Sequence, residues 1–149
     1  MRGYVSVALA LGLATVACNN GSSSSTTTPS PTTTTDVLMG TVQPPVNGVL
    51  QSSSNNFVVG QGGGNITISL TSAIETLPGG TLLTTVQMGM GVGTPSGSSC
   101  TLLANAFTTG AAGSASLNGS IAAGNYCVQV SDITGQLGPV AYAVAVTHP

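Results

Sequence analysis

The chain has 149 residues, and only 3% of them are charged: one Arg, no Lys, three acids (Asp36, Glu75 and Asp132) and a single His. That length can hold one domain with a hydrophobic core. The lone cation, Arg2, falls in a segment expected to be removed, so no basic side chain remains to displace counterions from nucleic acid or to hold anionic lipid. The surface must then be wetted by Ser, Thr, Asn and Gln. With so little charge there is little repulsion against self-association, a problem that tethering to a surface would ease.

Arg2 is followed by an apolar run from Tyr4 to Ala17, with VSVALALGLATVA at its heart. The run is shorter than the about 20 residues a membrane span needs and fits the hydrophobic part of a secretory signal. It ends in Thr15-Val16-Ala17-Cys18, which resembles the lipobox of bacterial lipoproteins, where a small residue precedes the cysteine. Thr15 departs from that pattern, which usually has Leu there. The resemblance implies that residues 1–17 are lost as a signal peptide and that Cys18 carries lipid on its sulfur. An ordinary signal peptide, with Cys18 near its cleavage site, is the alternative. From Asn19 to Thr35 the chain reads NNGSSSSTTTPSPTTTT, with no apolar residue to offset the entropy of folding. Residues 18–35 are therefore expected to be a disordered tether, reaching roughly 20–25 Å. The location these features imply is exported and lipid-anchored, in a bacterial cell envelope at the outer membrane.

From Asp36 onward apolar residues return, and residues 36–149 are expected to form one β domain. Val37–Val42 reads as a first strand, stopped by Pro44-Pro45. Val46-Asn47-Gly48-Val49 is a turn into a short strand near Gly48–Gln51, and Phe57-Val58-Val59 is a third. Asn65–Ser72 alternates cleanly, with Ile66, Ile68 and Leu70 inward. Thr81–Gly93 reads as one long strand with Val86, Met88, Met90 and Val92 on one face, broken by Pro95-Ser96-Gly97. Cys100–Ala106 and the segment around Leu117 and Ile121 supply further short strands. Asn125–Asp132 and Ala141–Thr147 close the domain, with Tyr126, Val128 and Val130, then Tyr142, Val144 and Val146, on single faces. Roughly eight or nine short strands with Gly and Pro punctuation, and no helical periodicity, predict an all-β sandwich or jelly roll.

Gly124-Asn125-Tyr126-Cys127-Val128-Gln129-Val130 followed by Gly138-Pro139-Val140-Ala141-Tyr142 resembles the closing strands of bacterial pre-peptidase C-terminal domains. Gly64-Asn65-Ile66-Thr67-Ile68-Ser69-Leu70 is similar to an upstream strand of that family, and the resemblance covers about Gly48 to Pro149. It implies a secreted β-sandwich module without catalysis, often an accessory to a separate exported hydrolase. Gly91–Pro95 stands where that family often has acidic residues, which in some members help hold calcium; the acids are absent here.

Few residues offer chemistry. With Cys18 assigned to lipid, Cys100 and Cys127 remain as a pair for a disulfide in an oxidising compartment, with two free buried thiols as the alternative. The bridge would close a loop of about 28 residues, worth about 3–4 kcal/mol. His148 lies at the frayed end of the sequence, Asp36 at the tether and Glu75 in a turn, so no nucleophile–base pair and no convergent carboxylates are expected. Asp132 is read as the cap of a turn, and more weakly as a calcium ligand together with carbonyls of the Ile133–Gly138 loop. Gly89, Gly91 and Gly93 fall on the face opposite Met88, Met90 and Val92. That leaves a smooth strip which either a neighbouring strand or loop covers or a ligand such as a sugar ring approaches. The expectation is a module that is not an enzyme, carries no cofactor, and meets the membrane through its lipid and a protein or glycan partner at the cell surface.

Overall fold

Val, Ile and Leu alternating with Ser, Thr and Asn make strands with one dry and one wet face, and the chain has almost no run of strong helix formers to compete. The computed structural model describes residues 32–149; residues 1–31, with the expected signal segment, Cys18 and most of the tether, lie outside the described residues. The described residues contain nine strands and no helix: β1 (Thr34–Val42), β2 (Ser52–Val59), β3 (Gly64–Thr76), β4 (Leu82–Leu83), β5 (Met88–Ser96), β6 (Ser99–Gly110), β7 (Ser116–Ile121), β8 (Gly124–Asp132) and β9 (Val140–His148). All pairings are antiparallel. One sheet runs β1-β9-β3, with β7 beside the first half of β3 and β4 beside its end; the other runs β2-β8-β5-β6. Ile68, Leu70, Val144 and Val146 from the first sheet meet Phe57, Met88, Met90, Val128 and Val130 from the second in one core. Each such side chain contributes about 1.5–3 kcal/mol by leaving water. The fold is the all-β sandwich that the alternation predicts.

Three departures from the expected strands shape the molecule. No strand occupies Gly48–Gln51: Asn47 and Gly48 both have positive φ, and Val46 and Val49 exchange N–H···O bonds around them at 3.1 and 2.9 Å. An Asn-Gly pair suits this primed two-residue turn, so the excursion ends as a tight loop and β2 starts only at Ser52. The expected strand over Thr81–Gly93 is two strands, because the chain leaves the first sheet after β4 and enters the second at Met88. Finally, β3 does not stop near Ser72. A bulge between Leu70 and Ser72 shifts its alternation, so that Ala73 and Glu75 face inward and the strand runs on to Thr76.

The register sets the two ends of the sandwich. Thr34 pairs with His148 at one end, and Val42 with Val140 at the other. The connection from β8 to β9, residues 133–139, crosses between the sheets at the second end, beside β4 and the end of β3.

Candidate functional site

A connection that crosses between sheets breaks its ladder, and its N–H groups need other acceptors. Two carboxylates supply them. Asp132 accepts from the N–H groups of Thr134 and Gly135 through Oδ1, at 2.9 and 2.8 Å, and from Gln136 through Oδ2, at 3.0 Å. Glu75 accepts the next two, from Leu137 and Gly138, through Oε1 at 2.7 and 3.0 Å. Five consecutive backbone donors are thus bound by two buried acids. Asp132 has the turn-capping geometry, with both oxygens facing N–H groups. Among the described residues, no three of His, Cys, Asp and Glu gather as metal ligands. Glu75 is not in a turn as expected: the β3 bulge turns it inward, and its pairing with Val140 brings it to the connection that Asp132 caps. Two of the three acids therefore do converge, through a register that the sequence does not display.

Above these acids is a cleft of about 390 Å³ between β4 and the β8–β9 connection. Leu77, Leu83, Val86 and Leu137 line its walls, with Glu75, Thr85, Gln87, Thr134 and Gln136 contributing the polar part. Gln136 is buried, and its Nε2 donates to the Gln87 carbonyl at 3.2 Å. Its Oε1 is buried with no hydrogen-bond partner among the described residues. A buried acceptor without a donor is unfavourable, and most such groups in folded proteins find a partner.

The opposite end holds the remaining charge. His148 is not frayed: it is the last residue of β9, and it is buried. Its Nε2 donates to Asp36 Oδ2 at 3.0 Å and its Nδ1 to the Pro149 carbonyl at 2.9 Å. Both partners are acceptors, so both bonds exist together only on the protonated ring. Burial lowers the pKa of His148. The Asp36 hydrogen bond, the Pro149 carbonyl and the Asp36 charge together outweigh burial and raise it above 6.5. The ring also lies 5.7 Å from Phe57, centroid to centroid. The signal for this pair is parity. His148 continues the inward row of Tyr142, Val144 and Val146, and Asp36 begins the row that ends at Val42.

Gly89, Gly91 and Gly93 lie buried on the outer side of β5, and the chain's own β6 fills the strip above them. A Cβ on Gly89 would stand 2.6 Å from the Phe107 ring, one on Gly91 2.8 Å from Leu102, and one on Gly93 would meet the Thr101 carbonyl. The strip proposed as a candidate ligand surface is therefore the seat of a neighbouring strand. Gly93 faces Cys127 on β8, and Pro95, two residues on, faces Cys100 on β6. With β6 pressed onto Gly93, the two cysteines reach a Cα separation of 5.8 Å and form a disulfide. Opposite Val92, residues 103–106 bulge out of β6 and border an apolar groove of about 240 Å³ shared with β7.

No protein-family model matches the chain, and no curated protein matches it either.

Proposed function

We propose that this protein is a non-enzymatic binding or structural module, exported and held at a bacterial membrane by lipid on Cys18. The observation that carries the reading is where strand pairing begins. β1 pairs with β9 from Thr34 onward, so the last two residues expected in the tether, Thr34 and Thr35, belong to the domain, and Cys18 with the polar residues up to Thr33 stands ahead of it. The Cys100–Cys127 disulfide supports an oxidising compartment. The titratable groups support a role without catalysis. Asp132 and Glu75 hold backbone N–H groups, and His148 has a carboxylate and a carbonyl as hydrogen-bond partners rather than a hydroxyl or thiol.

Intact mass spectrometry of protein extracted from membranes tests this. The expected species begins at acylated Cys18 and is lighter by the hydrogens lost in one disulfide. A chain that begins elsewhere, or at Cys18 without lipid, overturns the anchored reading.

A further inference from the structure

The cleft between β4 and the β8–β9 connection joins three properties. Its walls are aliphatic. Its polar lining includes two acceptors with unused capacity: the Glu75 carboxylate, whose two hydrogen bonds both go through Oε1, and Gln136 Oε1, buried with no donor; Thr85, Gln87 and Thr134 complete that lining. The amide nitrogen of Gln136 already donates to Gln87, so it adds no free donor. Among the described residues no Lys or Arg stands beside Glu75, and His148 pairs with Asp36 at the other end of the sandwich. Acceptors with unused capacity call for a donor ligand, and a carboxylate with no cationic neighbour calls for a cation. Aliphatic walls call for a hydrocarbon stem, and the volume is that of a small-ligand site.

We propose that this cleft binds a primary ammonium group carried on an aliphatic stem. The ammonium donates to Glu75 and to Gln136 Oε1, and the stem lies between Leu83 and Leu137. The inference deepens the binding half of the function proposed above and rests on it only for the setting in which the ligand is met.

Titration of the full chain with n-hexylammonium chloride, followed by backbone amide NMR shifts, tests it. Saturable shifts are expected at Glu75, Leu83, Gln136 and Leu137. n-Hexanol, the same stem without charge, should bind at least about tenfold more weakly. Nα-acetyl-lysine N-methylamide separates two sources of the ammonium: affinity comparable to that of hexylammonium assigns a lysine side chain of a polypeptide, and hexylammonium binding alone assigns a free amine. Glu75→Gln keeps an acceptor for Leu137 and Gly138 while removing the charge, and should erase the preference for ammonium over alcohol. Leu83→Lys, at a half-exposed position, puts an ammonium into the cleft and should abolish hexylammonium binding while the amide spectrum outside the cleft stays that of the folded domain. Equal affinity for hexanol and hexylammonium, shifts confined to another part of the domain, or no saturable shift at millimolar ligand would each overturn the proposal. Acylated Cys18 without cleft binding removes this inference alone, and cleft binding without acylated Cys18 removes only the anchor.

Discussion

Asp132 contributes more to the fold than its place in a loop suggests. Asp132→Ala leaves the N–H groups of Thr134, Gly135 and Gln136 without their acceptor. Each orphaned donor costs about 1–3 kcal/mol when water cannot reach it, and two of these three are only part-buried. The expected loss is about 2–4 kcal/mol, measured as a lower urea midpoint with unchanged m-value. Asp132→Asn, which keeps one acceptor oxygen, should lose about half as much. A shift under about 0.5 kcal/mol for the alanine variant would mean that the connection is held by something else. The capping role of Asp132 was legible, because an acid two residues before a Thr-Gly pair is a turn signal. Glu75 was not legible. Its role depends on a bulge four residues earlier, and Thr71-Ser72 carries no mark that distinguishes a bulge from continued alternation.

At the scale of elements, the β5–β6 hairpin shows why one strand carries three alternate glycines. They are not equivalent. At Gly91 an added Cβ meets the end of the Leu102 side chain, which can turn away, and comes to a tight 3.1 Å from the Ala106 carbonyl, whereas at Gly93 it collides outright with the Thr101 backbone, which cannot move aside. Gly91→Ala is therefore expected to cost about 1 kcal/mol and Gly93→Ala about 3 kcal/mol. Because Gly93 also sits under the path by which Cys100 reaches Cys127, its variant should accumulate free thiol during refolding. Equal thermal stability of the two variants would refute the distinction. The alternation of strands was readable from sequence wherever an apolar face was continuous, as in β3, β8 and β9. What covers the outer face of β5 was not, since Phe107 and Leu102 lie beyond a hairpin whose bulge sets their register. The long strand read over Thr81–Gly93 failed for a similar reason. Leu82, Leu83 and Val86 look like strand residues, and nothing local shows that the chain changes sheets between them.

For the domain as a whole, one contact among the described residues ties stability to pH near neutrality, that of His148 with Asp36. His148 is held charged by Asp36, so the fold favours its protonated form. A group whose pKa rises on folding contributes its full stabilisation below its ordinary value of 6.5, and loses it as pH climbs through the raised value. Stability should therefore fall as pH climbs from about 6.5 through the raised value. The expected fall is about 1 kcal/mol, because Asp36 is partly exposed and solvent screens the pair. Urea midpoints across that range check it, and Asp36→Asn should flatten the slope. A slope of the opposite sign would show that His148 is neutral in the fold. The two-sheet architecture was open to sequence reading because hydrophobic alternation reports burial directly. The pairing of a residue in the first strand with one in the last was not, because no local pattern carries long-range register.

That pairing also governs the order in which the domain can be completed. β1 is matched residue for residue with β9, from Thr34 opposite His148 to Val42 opposite Val140. A chain delivered from its N-terminus presents its first strand long before the partner of that strand exists. Until β9 arrives, β1 has no place in a sheet and β3 lacks its neighbour on that side. Topologies dominated by such remote pairings fold slowly. Until β9 is made, the facing edges of β1 and β3 stay open to pairing with other chains.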